Sequence, residues 1–330
     1  MKISVIIPVF KAEKYIEKCL LSLLSQTMIN DIEIIAVDDH GNDNSMTIVN
    51  RLKTSHEKGS HIVTVATMQN SGAWAARNLG IKIANGEYIG FCDADDWVEK
   101  EMYEKLYNKA ESTGSDWVFC NGQKVFEGNR TQKLKQYTFK STDFDENTRK
   151  KMMTQGVAYF WTAIYKSSFL KSHDICFPNG KFSEDSYFWW VATVLSEKIA
   201  CLDYNGYNYR IQPNSVSKRP DDQKAHIKQE IYSKLIEYFR ITGYYKRYQK
   251  ELDFLYIKKG YLIPLIIEAI NKAEPDLKQI DDKRKRDGIR LWRNKYLYGD
   301  LKSIVLAVAF ICFPKVICRL LKSKYRADFF

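Results

Sequence analysis

The stretch that decides the fold is Tyr88-Ile-Gly-Phe-Cys-Asp-Ala-Asp-Asp-Trp97. Its first five residues form an apolar run of the length of a buried strand, and three carboxylates follow within four positions. Carboxylates this close repel one another, and a divalent cation held by one or two of them and by phosphate oxygens would relieve that repulsion. An Asp-x-Asp pattern alone recurs by chance in many proteins. The stretch therefore predicts a strand that ends in an acidic site. Whether these acids form a binding site depends on the features of the surrounding sequence.

Around this stretch, short apolar runs alternate with segments of helical periodicity. The predicted strands cover residues 3–7, 32–37, 61–66 and 88–92. The predicted helices cover residues 13–26, 45–55, 72–84 and 100–113. This alternation predicts an α/β fold with a Rossmann-like, mostly parallel sheet flanked by helices. Ligands of such sheets bind at the carboxyl ends of the strands, where Pro8, Asp38, Asp39 and Asp93 lie. The two acidic pairs are therefore expected to flank one crevice.

The remainder of the chain is less regular. We predict a strand at 117–121, a loop at 127–148 and helical structure at 148–172. The turn-rich segment 212–222 is taken as a boundary, and 223–297 has the pattern of helices. The predicted domains are 1–218, with a nucleotide-sugar part at 1–97 and an acceptor part at 98–218, then a helical region at 219–297 and a basic amphipathic tail at 298–330.

The positive charge of the chain is concentrated near its end. The formal net charge is +11, and residues 283–326 contain 13 Lys or Arg against two acids, so the rest is close to neutral. A basic tail indicates an anionic partner, either membrane lipid or nucleic acid. Residues 303–313 carry no charge, but a spanning helix needs about 20 apolar residues. The pattern favours an interfacial membrane helix flanked by cations, and the alternative is a helix packed on the body of the protein.

The cysteines and the N-terminus indicate the compartment. Seven cysteines are scattered without CxxC spacing, which predicts free thiols in a reducing cytosol rather than disulfides or a zinc site. The N-terminus enters an apolar strand at once and lacks the pattern of a signal peptide. Together with the tail, this predicts a cytoplasmic protein that lies peripherally on the inner face of the cell membrane.

The sequence resembles the bacterial family 2 glycosyltransferases, which are inverting enzymes with the GT-A fold. Six segments in the expected order carry the likeness: 5–10 with Tyr15, 37–39 with Asp43, 70–78, 91–97, 182–185 with Phe188, and 209–217. The resemblance covers about residues 1–218 and implies a GT-A domain that is followed by a C-terminal helical region.

The resemblance implies a set of nucleotide-sugar ligands. Those expected around the base and ribose are Pro8, Phe10, Asp39 and Asp93. Asp95 would bind Mn²⁺ or Mg²⁺ on the diphosphate. The resemblance also implies that Arg77 helps to hold the nucleotide. Arg210 and Ser217 would belong to a loop that closes on the diphosphate. Lys11 and the His40-Gly41-Asn42 turn depart from the family pattern near the base, which weakens the inference of uridine more than that of metal binding.

Inverting transfer also needs a base that removes the proton of the acceptor hydroxyl. By the resemblance, Asp185 is this base, and Glu184 positions it or contacts the acceptor. Trp189 and Trp190 are candidates for stacking on an acceptor sugar, with burial in the core as the alternative. The other interpretation of Glu184 and Asp185 is a helix start, where acids are favoured. For Asp96, the corresponding interpretation is a cap on the helix that follows.

The leading hypothesis is transfer of one hexose or N-acetylhexosamine from a UDP-sugar to a hydroxyl of a lipid-linked, lipopolysaccharide or capsular glycan. One alternative is a sugar nucleotidyltransferase, although residues 11–14 lack the Gly-rich, Arg-containing loop of that class. Another is a non-enzymatic protein that binds membranes or nucleic acid through its tail. No nucleic-acid-binding module is recognisable, so nucleic acid is not an expected partner.

Overall fold

A computed structural model describes residues 1–140, 144–157, 159–180, 182–212 and 223–326. The chain divides into two compact units. The first contains Met1–Arg149 and Gly156–Ser215, and the second contains Lys150–Gln155 and Val216–Phe330. The predicted boundary at residue 218 lies outside the described residues and stays a prediction, and the assignment of 150–155 to the second unit had no sequence signal. The finer limits at 97 and 297 stay predictions.

The first half of the first unit is a parallel sheet. Its strands are β1 (Ile3–Val9), β2 (Ile32–Asp38), β3 (Ile62–Ala66) and β4 (Tyr88–Phe91), in the spatial order β3-β2-β1-β4. The connecting helices are α1 (Ile16–Leu24), α2 (Ser45–Ser55) and α3 (Ala73–Ile83). Nearly every residue of β1 and β2 is buried, as continuous apolar runs in a sheet covered on both faces require. The predicted fold class and all four strands are confirmed here.

The second half of this unit adds strands of mixed direction. In chain order its elements are β5 (Trp97–Val98), α4 (Met102–Thr113), β6 (Trp117–Val125), β7 (Thr131–Lys133), α5 (Glu146–Gln155), β8 (Ala163–Lys166), α6 (Ser167–Ser172), α7 (Glu184–Leu195) and β9 (Ile199–Arg210). Of α5, Lys150–Gln155 belongs to the second unit. The sheet continues from β4 as β8-β6-β9-β5, and β7 pairs with β6. Two predictions were wrong: the supposed loop 127–148 contains β7, and the supposed helical region 148–172 contains β8. Both strands are too short to show a period of their own.

Close packing of α3 on β1 positions the site described below. A Cβ atom on Gly80 would lie 2.4 Å from Cγ2 of Ile6, so only glycine permits this approach of helix to strand. The helix is consequently fixed against the sheet close to the carboxyl ends of the strands, and Arg77 lies one turn before Gly80 on the same element.

The second unit is helical. Its elements are α8 (Lys224–Ile241), α9 (Tyr244–Leu255), a π-helical segment (Tyr256–Leu262), α10 (Ile263–Asn271), α11 (Leu277–Arg286), α12 (Lys295–Tyr298), α13 (Leu301–Cys312) and α14 (Pro314–Arg326). Among the described residues no single helix has the length and apolar character to cross a membrane. Leu301–Cys312 and Pro314–Ser323 meet these criteria only together, and the chain bends by 120° between them.

Candidate active site

The carboxyl ends of β1 and β2 meet, as expected, at one edge of the sheet. The strand register pairs Val9 with Asp38. A cavity of about 180 Å³ opens at this edge, and its lining includes Val9, Asp38, His40 and Asn42. Pro8 is partly buried at the end of β1, and the adjacent Phe10 leaves 43% of its surface exposed. A polar cavity beside an exposed aromatic ring is compatible with the predicted nucleobase contacts of Pro8 and Phe10, which stay predictions.

The carboxylate of Asp39 binds the backbone of the loop between β3 and α3. The residue is buried, and its carboxylate accepts hydrogen bonds from the backbone N–H groups of Ser71 and Gly72, both at 2.9 Å. The hydroxyl of Thr67 donates to the same carboxylate at 3.1 Å. These bonds fix the loop that leads from β3 into α3. The structure thus gives Asp39 a structural role, and its predicted contact with the base stays a prediction.

Arg77 connects the acidic strand end to the predicted base. Its Nη2 donates to Oδ1 of Asp93 at 2.8 Å, and its Nη1 donates to Oε1 of Glu184 at 3.2 Å. The guanidinium also lies over the rings of Phe160, at 4.7 Å, and Phe177, at 5.3 Å. Burial alone would lower the pKa of Arg77, but the neighbouring carboxylates, Asp93 first, raise it on balance. The side chain is therefore a fixed cation.

One donor of this guanidinium has no partner in the described part of the chain. Nε of Arg77 is buried without a hydrogen-bond partner there. An unsatisfied buried donor is costly, and a bound oxygen would satisfy it. The expected contact of Arg77 with a nucleotide is compatible with this geometry, although the structure shows Arg77 holding protein carboxylates.

Removal of Arg77 should destabilise the first unit more than removal of an exposed arginine. In Arg77→Met, Asp93 and Glu184 lose the cation between them, and breaking such a buried pair costs about 3–5 kcal/mol. Arg51 also has a carboxylate partner, Glu17 at 2.6 Å, but both side chains are more than half exposed. Arg51→Met should therefore cost less than about 1 kcal/mol. Urea unfolding of both variants measures the difference, and equal losses would contradict the bridging role.

The three carboxylates after β4 have different surroundings. Asp93 is tied to Arg77, whereas Asp96 is buried and binds β9. Its Oδ2 accepts from the hydroxyl of Tyr207 at 2.8 Å, and its Oδ1 accepts from the backbone N–H of Arg210 at 2.7 Å. The hydroxyl of Tyr207 also accepts from the backbone N–H of Asp93 at 3.0 Å. The interpretation of Asp96 as a helix cap was wrong, because α4 begins beyond Glu101 and the carboxylate is committed to β9.

Asp95 is the carboxylate best suited to a cation. Its Oδ2 accepts from the side-chain amide of Gln212 at 2.7 Å, and its backbone carbonyl accepts from Nε of Arg210 at 2.8 Å. Burial first, and then the charge of Asp93, raises the pKa of Asp95 to about 6. The charge of Arg210 opposes this shift without reversing it.

The donor set fits a cation that is shared with a substrate. The described residues contain no group of three His, Cys, Asp or Glu side chains that could hold a metal ion. Mg²⁺ and comparable cations at phosphate sites commonly take only one or two protein carboxylates, and substrate oxygens and water complete the shell. Asp95, a carboxylate with a raised pKa, suits this kind of site.

Cationic and aromatic side chains surround Arg210. Its guanidinium lies 4.9 Å from the ring centres of both Tyr15 and Trp97. The ammonium of Lys18 lies over the Trp97 ring at 3.2 Å, and burial, followed by the charge of Arg210, lowers the pKa of Lys18. Arg210 thus contacts Asp95, where a diphosphate is expected, and shares the Trp97 ring with Lys18. The sequence motifs did not reveal Lys18, Tyr207 or Gln212, and Ser217 lies outside the described residues.

The second acidic pair begins α7. Ser183 precedes it with φ of 69°, in the left-handed region, and Glu184 and Asp185 form the first helical turn. Burial, followed by the charge of Asp185, raises the pKa of Glu184 to about 7 although Arg77 opposes the shift. Asp185 is partly exposed, and its Oδ1 accepts from the backbone N–H of Ser186 at 2.7 Å. Among the described residues, none donates a hydrogen bond to its other carboxylate oxygen.

The expectation that Trp189 and Trp190 stack on an acceptor sugar requires correction. Trp189 is 2% exposed and Trp190 is 1% exposed. The ring of Trp189 packs against Trp117 at 4.7 Å and Phe119 at 5.9 Å. An unbroken apolar run on α7 buries these rings in the core, so they support the helix that carries Glu184 and Asp185.

Comparison with known proteins identifies relatives of the chain. The family model described as Glycosyl transferase family 2 matches residues 4–173. The uncharacterized glycosyltransferase EpsJ of Bacillus subtilis is 32% identical over 243 residues, which are 72% of this chain and 69% of that protein. The poly(ribitol-phosphate) beta-glucosyltransferase of Bacillus spizizenii is 38% identical over 212 residues, which are 63% of this chain and 32% of that protein. The match thus spans about a third of that second relative's length.

Solved structures share the fold. The crystal structure of a fragment of S. aureus TarS in complex with UDP-GlcNAc superposes with a TM-score of 0.62 at 21% identity. The superposition covers 87% of this chain and 92% of the TarS chain. At this level of identity the comparison supports the architecture, a GT-A type sheet followed by helices.

Proposed function

The chain belongs to glycosyl transferase family 2 and is a glycosyltransferase, and from this premise we propose that it transfers one hexose or N-acetylhexosamine from a UDP-sugar to a glycan hydroxyl with inversion. The observation that carries the proposal is the bridge made by Arg77. This one buried cation binds Asp93 at the end of β4 and Glu184 at the start of α7. It thereby couples the predicted nucleotide-sugar site to the helix turn that contains Asp185.

Each residue of the site has a separate role in the single displacement. Asp185 accepts the proton of the acceptor hydroxyl as the oxygen attacks the anomeric carbon. Glu184 is held by Arg77 and keeps the first turn of α7 in place. Asp95 would hold Mn²⁺ or Mg²⁺, which would neutralise charge on the departing diphosphate. Arg210 and Lys18 supply further positive charge for that leaving group.

The donor and acceptor are proposed from the relatives. TarS is described in complex with UDP-GlcNAc, and two relatives are named poly(ribitol-phosphate) glycosyltransferases, one for glucose and one for N-acetylglucosamine. These names support a UDP-linked glucose-type donor and a polymer as the acceptor. A lipid-linked, lipopolysaccharide or capsular glycan remains the acceptor class that we propose.

A donor screen tests the function. The full chain is incubated with individual UDP-sugars with and without Mn²⁺, and UDP release is measured. We expect Mn²⁺-dependent hydrolysis of at least one UDP-sugar. Release of pyrophosphate from a nucleoside triphosphate and a sugar phosphate, without hydrolysis of any UDP-sugar, would instead support the nucleotidyltransferase alternative.

We also propose that α13 and α14 bind the inner face of the cell membrane, which makes this a peripheral membrane protein. Both helices expose large apolar side chains, among them Leu301 at 73%, Val305 at 59%, Val316 at 57% and Leu320 at 58%. Residues 301–326 contain no acid and several Lys and Arg. Exposed apolar rows beside cations are typical of helices in the interface of an anionic bilayer.

Charges placed on these rows should release the protein from vesicles. Val305→Glu combined with Val316→Glu replaces apolar contact with repulsion from anionic headgroups, so we expect at least about a tenfold weaker affinity. The control is Ile241→Glu, at a position 79% exposed on α8. Sedimentation with phosphatidylglycerol-containing vesicles measures both. Unchanged binding of the double variant would contradict the proposed membrane contact.

A further inference from the structure

A lysine-lined cleft lies within the second unit, and its lining residues take no part in the candidate active site. It has a volume of about 160 Å³ and is lined by the π-helical segment, α10 and α13. Lys258, Lys259 and Lys302 contribute to its wall, together with aliphatic side chains that include Leu262 and Leu306. The space is much larger than the roughly 10–15 Å³ that a single water requires in this measure, so it can hold a larger group.

The positive charge of this cleft is only partly compensated. Nζ of Lys258 lies 2.9 Å from Oδ2 of Asp300. Neither Lys259 nor Lys302 has an ion-pair partner within the described ranges. Burial, and then the charge of Lys258, lowers the pKa of Lys259. Lys259 is partly buried without a counter-charge among the described residues, which is unfavourable on its own, whereas Lys302 is exposed. A bound anion would offset the cost at Lys259.

The backbone brings two consecutive lysines to one cleft through an unusual helix. Tyr256–Leu262 is π-helical, a geometry that is rare and frequently found at functional sites. Within it, a Cβ atom on Gly260 would lie 2.6 Å from Cβ of Tyr232. Glycine therefore lets the segment approach α8 closely. This packing fixes the position of the backbone that carries Lys258 and Lys259.

We propose that this cleft binds the phosphate group of an anionic phospholipid. The lysines would bind the phosphate oxygens, and the aliphatic lining would contact the apolar part next to the headgroup. Inorganic phosphate would gain nothing from that aliphatic lining, which is why we assign a lipid. The inference builds on the proposed membrane contact, since Leu301 and Val305 of that surface flank Lys302 on α13. Exposed Trp292 and Tyr298 precede the helix, as aromatic residues do at bilayer interfaces.

The test uses a lipid that stays monomeric, so its result does not depend on docking to vesicles. Dihexanoyl phosphatidylglycerol is titrated into the full chain by calorimetry, below its micelle concentration. Dihexanoyl phosphatidylcholine and inorganic phosphate are titrated separately. The test variant is Lys259→Gln with Lys302→Gln, which leaves the Lys258–Asp300 pair intact. The matched control is Lys246→Gln with Lys250→Gln, which removes two charges from exposed positions on α9.

We expect phosphatidylglycerol to bind at least tenfold more weakly to the cleft variant than to the wild type, with the control variant unchanged. Phosphatidylcholine and inorganic phosphate should bind at least tenfold more weakly than phosphatidylglycerol. Equal affinity of the two double variants would overturn the site, and binding of inorganic phosphate as tight as that of the lipid would overturn the lipid assignment. Circular dichroism melting of the variants shows whether each is folded. If vesicle docking fails while the soluble lipid binds the wild type, the cleft stands without the membrane contact.

Discussion

Asp185→Asn should lower the turnover number of sugar transfer by about a hundredfold to ten-thousandfold, the contribution typical of a general base. Asparagine keeps the size of the side chain and can still accept the hydrogen bond from the backbone N–H of Ser186. It cannot take up the proton of the acceptor hydroxyl. The loss should therefore appear in kcat, while the affinity for UDP stays close to that of the wild type. Radiolabelled sugar transfer and UDP titration measure these two quantities.

The adjacent acid provides the matched control. Glu184→Gln changes the neighbouring carboxylate in the same helical turn, but this side chain is engaged by Arg77. We expect a smaller effect on kcat than that of Asp185→Asn. If Glu184→Gln abolished transfer and Asp185→Asn retained it, the base would be Glu184. If both variants transferred sugar at nearly the wild-type rate, neither of these two acids of α7 would take part in the chemistry.

Asp95→Asn should reduce transfer by about a thousandfold, because metal-assisted stabilisation of a leaving group is worth several kcal/mol. The neutral amide is a poor ligand for Mn²⁺ but can still accept from Gln212. The variant should also lose the dependence of UDP binding on Mn²⁺. Titration of UDP with and without Mn²⁺ measures this, and a metal-dependence equal to that of the wild type would refute Asp95 as a ligand.

In Asp95→Asn, the loss of transfer activity should not be accompanied by a loss of stability. Because burial and Asp93 raise the pKa of Asp95, its charge is unfavourable in the folded chain without a cation. Asp95→Asn is therefore expected to melt at the same temperature as the wild type or higher in the absence of metal. Lower stability would indicate that lost activity reflects unfolding rather than loss of a ligand.

The parallel half of the sheet could be predicted from the sequence because local signals and burial agree there. The apolar runs of β1, β2 and β4 are long enough to distinguish strands, and the periodicity of α2 gave its bounds. The short β8, Ala163–Lys166, could not be recognised because four residues between aromatic and helical segments have no period. Its identity as a strand comes from pairing with β4 and β6.

The site was only partly predictable for the same reason. Strand ends located Asp39, Asp93 and Asp95 at one edge, since parallel topology alone determines that. The contact between Arg77 and Glu184 joins residues that are 107 positions apart. No regularity of sequence spacing predicts a contact over that separation. The roles of Trp189 and Asp96 depended on partners on β6 and β9. Asp185 as the base stays a prediction.

Under the role proposed for Asp95, a proton and a metal ion are alternative ways to reduce the negative charge that Asp93, Asp95 and Asp96 bring together. The pKa of Asp95 rises from its ordinary 3.8 to about 6, so the folded chain keeps a proton that the unfolded chain releases. The stability that this group contributes is therefore lost as the pH rises through that window. Above this pH range, a bound cation would compensate the negative charge that the proton no longer neutralises. Near neutral pH, the cluster would thus make cation supply a determinant of how readily the first unit folds.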